Sequence, residues 1–339
     1  MKRILLTGGA GFIGHHVIEH FLEHTDCEIV VLDRLDYSGN LNRIHDVLEK
    51  QPHNKNRVSI VFHDLKAEIN PLVSNFIGKC DTILHLAAAS HVDRSITHPL
   101  EFIYDNIIGT ANLLEYTRKL DYLDKFLYFS TDEIFGAAPL GVDYKERDRY
   151  NSTNPYSASK ASAEELCVAY ENTYKIPMKI THTMNVFGER QTPEKFIPLC
   201  IRKVKNGEKV TIHSNETKTT AGSRFYIHAK DVATALQFIL QNDLKSEADY
   251  GGAKCSKFNI VGKEEVDNLS LAKMIASAQN KELVYEMVDF HTTRPGHDLR
   301  YSLSGDLMRS RGWEPKVSIS DRIKQVSDWY MENPKWLEL

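Results

Sequence analysis

Tyr156 and Lys160 stand four residues apart, and Thr131, Asp132 and Glu133 close an apolar run shortly before them. Residues four apart on a helix share one face, about a turn from each other, and the small and helix-forming residues from Ser157 to Val168 predict such a helix. A lysine ammonium beside a phenol favours the phenolate and draws down a pKa ordinarily near ~10, which makes Tyr156 a candidate base for an alcohol. Two adjacent carboxyl groups can divide acid and base work when their environments separate their pKa values. In a continuing strand Thr131 and Glu133 would share a face while Asp132 pointed away, so joint action requires the strand to end near Thr131 and the chain to turn. The Tyr-x-x-x-Lys spacing alone is weak, since it recurs at Tyr226 to Lys230 and at Tyr250 to Lys254. A Thr-Asp-Glu string, for its part, also serves to cap a turn. What distinguishes Tyr156 is its company: the acidic string before it and the glycine-rich start of the chain.

That start supplies the frame. Ile4 to Thr7 is a short apolar run, followed by Gly8, Gly9, Gly11 and Gly14 and then by Val17, Ile18, Phe21 and Leu22 at helical spacing. Strand, glycine turn and helix form a βαβ unit with the next apolar run, Glu28 to Leu32. Glycines let the backbone approach a pyrophosphate at the helix amino terminus, so Gly8, Gly11, Phe12, Ile13 and Gly14 are expected to cradle a dinucleotide. Asp33, nineteen positions past Gly14, sits where an acid accepts hydrogen bonds from the adenosine ribose, which argues for NAD over NADP. Arg34 beside it keeps a 2′-phosphate in play. Alternation continues with strands at 58 to 62, 82 to 86 and 126 to 129, a helix from about Glu68 and a long helix from about Pro99 to Leu120. Near-continuous apolar strands imply helices on both faces and a ligand site at the carboxyl ends, where Asp33, Asp64, Leu65, Leu86, Ala87, Ala88, Ser90 and Thr131 fall. The expected fold is α/β, a Rossmann-like doubly wound parallel sheet with a smaller C-terminal substrate-binding lobe. Residues 1–185, with a return segment about 225–245, would form the dinucleotide-binding domain, and 186–224 with 246–339 the lobe. Pro193-Glu-Lys195 is expected to open a helix, and 214–223 to form a polar, mobile loop.

Composition limits the alternatives. With 339 residues, 42% hydrophobic and 26% charged, the chain can bury a sizeable core, and a net charge of -4 carries no footprint for nucleic acid. Five widely spaced cysteines without a Cys-x-x-Cys pair point to a reduced, cytoplasmic protein. Met1-Lys2-Arg3 and the apolar residues after it superficially match a signal peptide, but the glycines, His15, His16 and Glu19 favour a buried strand. No apolar stretch reaches the length of a membrane span.

Six strings resemble one family. Thr7-Gly-Gly-Ala-Gly-Phe-Ile-Gly14, Leu84-His-Leu-Ala-Ala-Ala-Ser-His-Val-Asp-Arg-Ser95, Ser130-Thr-Asp-Glu133, Pro155-Tyr-Ser-Ala-Ser-Lys160, Pro193-Glu-Lys195 and Arg294-Pro-Gly-His-Asp298 look like those of the extended short-chain dehydrogenase/reductases, of the dTDP-glucose 4,6-dehydratase type. The resemblance implies NAD held throughout the reaction and a nucleoside-diphosphate hexose as substrate. It implies Thr131, Asp132, Glu133, Tyr156 and Lys160 as the catalytic set, with Asn185 at the sugar, Lys195 and Phe196 at the nucleotide, Arg224 and Arg294 at the diphosphate, and Asn259 and His297 at further parts of the nucleotide. It also implies a homodimer, paired through the helices 99–120 and 156–174. Three positions depart from the pattern: Ala89 replaces a glutamate, Val186-Phe187 an Asn-Tyr, and Phe225-Tyr226 an Asp-Trp. These leave the sugar and the base open, as does the loop 214–223.

Other chemistries leave weaker traces. His20-Phe-Leu-Glu-His24 fits a zinc-peptidase pattern, but Phe21 and Leu22 claim the buried side of that helix, so no metal site is expected. A non-catalytic NAD sensor would have no use for the Tyr156 and Lys160 pair. A nucleotide-sugar 4-epimerase or decarboxylase remains the alternative within the fold.

Overall fold

The computed structural model describes residues 1–246, 255–289 and 299–338. Its first strands are β1 (Arg3–Thr7), β2 (Glu28–Asp33), β3 (Val58–Phe62), β4 (Thr82–His85), β5 (Lys125–Thr131) and β6 (Met178–Thr183). Four short strands follow, β7 (Val186–Phe187), β8 (Val210–Ser214), β9 (Ser223–Phe225) and β10 (Ile227–His228), and then β11 (Ser256–Ile260), β12 (Glu265–Asp267) and β13 (Tyr285–Asp289). Seven of these form one parallel sheet in the order β11-β6-β5-β4-β1-β2-β3. Successive side chains on a strand point to opposite faces. Ile4, Leu6 and Val31 meet the helices Phe12–His24 and Ala229–Gln241 on one side, while Leu5, Val30 and Leu32 belong with Leu113, Leu114, Ala163 and Cys167 on the other. Both faces are covered, which is why these strands read as unbroken apolar runs. The order reverses between β1 and β4, and the site lies at that switch point.

The helix expected over 99–120 runs without interruption from Pro99 to Thr117, with a π-helical turn inside it. Val92–Thr97 and Pro99–Phe102 precede a π-helical turn, Ile103–Ile108, and then Gly109–Thr117. Inside the π turn, Asn106 is buried and its amide holds the Ala89 peptide from both sides, accepting from Ala89 N at 2.8 Å and donating to Ala89 O at 3.0 Å. Single π turns of this kind concentrate at functional sites. The helix expected from Glu68 begins at Pro71 instead, because Asn70 caps it by accepting from Val73 N. Pro193 to Lys195 precede the helix Phe196–Asn206 rather than opening it, and the proline in that helix's first turn is Pro198.

A third core gathers the helices Phe196–Asn206, Asn268–Ala278 and Ile319–Glu332 with the parallel pair β8 and β13. Its boundary differs from the sequence expectation. β11, assigned to the smaller lobe, is buried along its length and pairs with β6 at the edge of the main sheet, and Met308 and Trp313 pack into the first core. The polar loop after β8 is held by Asn215, whose Oδ1 accepts from Thr219 N and Thr220 N, so its own side chain supplies the turn. No helix among the described residues is long and apolar enough to cross a membrane.

Candidate active site

β5 stays extended through Thr131, and Asp132–Phe135 then coil into a 3-10 turn. The Thr131 hydroxyl accepts from Glu133 N at 3.4 Å and donates to Asp132 Oδ1 at 3.1 Å. This is the turn that the joint use of both carboxyl groups requires. The helix Pro155–Tyr174 starts beside it for local reasons. Asn154 Oδ1 accepts from Ser157 N while Ser157 Oγ accepts from Asn154 N, a capping box, and Pro155 suits the first helical position. Tyr156 is thereby fixed in the first turn, with Lys160 one turn on.

Burial governs the electrostatics. It lifts the Asp132 carboxyl to about 6 against the pull of Arg224. It lifts Glu133 to about 7, helped by the Asp132 charge and opposed by the Asn154 amide, Arg224 and Lys195. Between those two values the pair therefore shares about one proton. Glu133 holds its proton more tightly than Asp132, because it carries its neighbour's charge as well as its own burial. Tyr156 departs from expectation too: burial and the two carboxylates raise its phenol, and the Thr131 hydrogen bond only partly opposes them. Lys160 does not offset this. Its ammonium donates to Phe129 O at 2.7 Å and lies 4.3 Å from the Tyr128 ring centre, and burial lowers its own pKa to about 8.

Thr131, Asp132, Glu133, Tyr156 and Lys160 line one cavity of about 320 Å³, together with Gly8, Gly11, Phe12, Ile13, Gly14, Ser90, Asn185, Lys195 and Phe196. A narrower groove of about 100 Å³ continues from it past Asp33, Arg34, Asp64, Leu65 and Ala87, and the two share Gly8, Gly11, Ser38, Leu86 and Ala88. The shape fits a dinucleotide. Gly8 has φ +73°, and a Cβ there would lie 2.8 Å from Ala87 N; one on Gly14 would lie 2.3 Å from Gly8 O, so the turn tolerates no side chain at either. Ser130 Oγ and Thr183 Oγ1, both from the larger cavity's lining, are buried and have no hydrogen-bond partner among the described residues. Asp33 ends β2 and accepts from Ala10 N and Leu35 N. Arg34 is forked onto Asp105 and Asp36 at 2.6 to 3.1 Å and lies 3.6 Å from Asp64. A 2′-phosphate here would meet carboxylates rather than an available guanidinium, which removes the ambiguity that Arg34 raises in the sequence.

The GDP-mannose 4,6 dehydratase family model matches residues 5–326. The chain belongs to this family. The dTDP-glucose 4,6-dehydratase of Salmonella typhimurium is 34% identical, over 99% of this chain and 94% of that protein. The crystal structure of dTDP-glucose 4,6-dehydratase from Streptomyces venezuelae, solved with NAD bound, covers 99% of both chains at 31% identity and a TM-score of 0.85. The UDP-glucose 4-epimerase of Thermus thermophilus, in complex with NAD, has a TM-score of 0.83 at 27% identity, over 97% of this chain and 99% of that one. The motif resemblance and the α/β fold expected from the strand and helix pattern are thus borne out.

Within this 4,6-dehydratase family fold, two residues expected at the substrate are not among those lining the larger cavity. Asn259 is fully buried, and its amide is committed to His182, Tyr144 O and Ser304 O. A strand buried on both faces must satisfy a polar side chain internally, and Asn259 serves that need. Arg224 is absent from the cavity lining and donates to Ser223 O and Leu299 O, so it acts on the carboxyl pair through its charge. Arg294 and His297 lie outside the described residues. His20, Glu23 and His24 turn to separate partners, Gln237, Gln51 and the His20 carbonyl, and do not converge on a metal.

Sequence reasoning missed Asn154. Besides capping the helix, its Nδ2 donates to Glu133 Oε2 at 3.4 Å. The Asn-Pro step before a helix is a readable start signal, although nothing local says that the cap also touches the acid. Asn154→Ser keeps a capping oxygen and removes the amide. Losing a donor to the carboxylate raises the Glu133 pKa, so the acidic limb of the pH–rate profile is expected to move upward by roughly 0.5 to 1 pH unit, as one long hydrogen bond to a carboxylate allows. A profile superimposable on the wild type, measured on folded variant, removes Asn154 from the site.

Proposed function

We infer that this chain is an NAD-dependent nucleoside-diphosphate-glucose 4,6-dehydratase, acting on dTDP-glucose or UDP-glucose. One observation carries the reading: a phenol and two adjacent carboxyl groups line a single cavity that runs into a dinucleotide groove. When bound, NAD supplies the acceptor for the C4 hydride of the sugar and returns that hydride at C6. Tyr156 takes the proton of the 4-hydroxyl as C4 becomes a ketone, and Thr131 holds the same oxygen in place. The ketone acidifies C5. Glu133 removes the C5 proton and Asp132 protonates the departing C6 hydroxyl, which leaves as water. Glu133, which then carries the C5 proton, returns it to C5, and the hydride that bound NAD would supply at C6 would complete the 4-keto-6-deoxy sugar. Gly8, Gly11, Phe12, Ile13, Gly14, Asp33, Asp64, Leu65, Leu86, Ala87 and Ala88 hold the dinucleotide in this reading, with Tyr156 and Lys160 at its nicotinamide end. Ser90, Asn185, Lys195 and Phe196 hold the nucleotide sugar, which the elements of the third core help to enclose.

The test is incubation with each nucleoside-diphosphate hexose followed by mass analysis. Loss of one water from dTDP-glucose or UDP-glucose is expected. Unchanged mass with an inverted sugar centre assigns the chain to the 4-epimerases instead, and loss of carbon dioxide from a uronic acid assigns it to the decarboxylases.

Leu100, Ile103, Tyr104 and Ile108 leave large apolar side chains exposed on the Pro99–Ile108 segment, as does Tyr174 at the end of the Tyr156 helix. We read this face as the contact of a homodimer. Sedimentation as a dimer at micromolar concentration is expected, and a monomer there removes the reading. All five cysteines are free and buried, as suits a reducing cytoplasm.

A further inference from the structure

Arg43 belongs to the helix Leu41–Lys50, yet its side chain is turned inward and is 4% exposed. Its Nη1 donates to Ala10 O at 3.1 Å and to Ser38 O at 2.6 Å, and its Nε donates to Arg190 O at 3.1 Å. Every acceptor is a backbone carbonyl. Among the described residues no ion pair forms at Arg43, whereas Arg190 pairs with Asp46 at 3.2 Å and Arg34 with Asp105 at 2.6 Å. Burial presses its pKa down to about 10, which still leaves it charged at neutral pH. The Asp33 charge acts on it from a distance and the Trp336 ring centre lies 5.9 Å away, but its hydrogen bonds all go to neutral carbonyls, which is costly for a buried cation that has no neutral form to retreat to.

The place of this charge gives it a purpose. Ala10 sits inside the glycine turn, and its peptide is gripped at both ends. Asp33 Oδ2 accepts from Ala10 N at 3.0 Å, while Arg43 and the Asn40 N–H both donate to Ala10 O. Ser38, the second residue Arg43 holds, lines both the groove and the larger cavity. One guanidinium therefore fastens the glycine turn, the loop that faces it and the chain at Arg190.

We propose that Arg43 is a positioning residue for the cofactor: a buried cation that holds the glycine turn in its anion-binding shape, with the diphosphate of the dinucleotide as its compensating charge. This rests on the NAD reading above. It separates the diphosphate from the rest of the ligand, because adenosine carries no charge for Arg43 to compensate.

The experiment is titration of wild type, Arg43→Gln and Arg43→Lys with NAD, ADP-ribose and adenosine, with folding of each checked by circular dichroism. Arg43→Gln is expected to weaken NAD and ADP-ribose by about ten-fold or more while adenosine changes by less than about two-fold. Arg43→Lys, which keeps the charge, is expected to stay within about three-fold of wild type for all three. Wild-type affinity for ADP-ribose in Arg43→Gln overturns the proposal, as do equal losses for ADP-ribose and adenosine, or equal losses in the two variants. Should Arg43→Gln not fold, Arg43→Lys decides alone, and a ten-fold loss of ADP-ribose in it overturns the proposal. Wild type that binds neither NAD nor ADP-ribose overturns the NAD reading and this proposal together, whereas binding unaffected by either variant overturns only this one.

Discussion

Glu133→Gln is expected to oxidise the sugar and then stop. The substitution is close to isosteric and keeps a group that the Asn154 side chain can still meet, so the 3-10 turn at Asp132–Phe135 should persist. What it removes is the carboxylate that takes the C5 proton. Loss of a positioned general base costs on the order of 10²–10⁴ in rate, so turnover to the 4-keto-6-deoxy product should fall by roughly that factor. The earlier step does not use Glu133. Mixing the variant with dTDP-glucose or UDP-glucose should therefore give reduced nicotinamide, seen by its absorbance, in an amount approaching the enzyme concentration and persisting for minutes. Normal turnover by the variant would remove Glu133 from the mechanism, and failure to form reduced nicotinamide would place it in the oxidation step.

Why some of this site is legible in the sequence and some is not follows from how each residue acts. Gly8, Gly11 and Gly14 are readable because a backbone constraint leaves a residue-type signature: no other side chain fits beside Ala87 N or Gly8 O. Asp33 is readable because strand length and turn geometry fix its distance from the glycines. The strand end at Thr131 is readable as a requirement, since both acids can serve one sugar only if the chain turns there. The electrostatics are not readable in the same way. Tyr156 and Lys160 have the right spacing, but the lysine's effect depends on Phe129 O and the Tyr128 ring, which come from a different strand. Likewise the resemblance alone places Asn259 at the nucleotide, and the packing of β11 beside β6 and the segments bearing Tyr144 and Ser304 turns it inward. The π turn inside the 99–120 helix has a similar origin, since Asn106 is drawn to the Ala89 peptide across the fold. Periodicity describes one element at a time, and these residues are decided by a second element.

Tyr156→Phe is expected to fail earlier than Glu133→Gln and by a similar or larger factor, on the order of 10²–10⁴ or more in turnover, with no reduced nicotinamide formed. The change removes one oxygen from a ring that is 8% exposed and packed edge to face on Phe102, so the fold and the dinucleotide groove should be little altered. NAD affinity by titration should stay near wild type, which separates loss of the base from loss of the cofactor. The two variants are also linked through charge. Glu133 and Asp132 both raise the Tyr156 phenol, and the oxidation step needs the phenolate, so its rate rises with pH until the phenol is ionised. Replacing Glu133 by glutamine deletes one of those negative charges and lowers the phenol pKa. The rate of reduced nicotinamide formation in Glu133→Gln should therefore climb at lower pH than the same step in wild type, measured in a single turnover. In Tyr156→Phe no such limb should remain at any pH. A pH-dependent burst of reduced nicotinamide in Tyr156→Phe would mean that another group takes the hydroxyl proton, and the shared cavity of phenol and acids would then have to be read without its base.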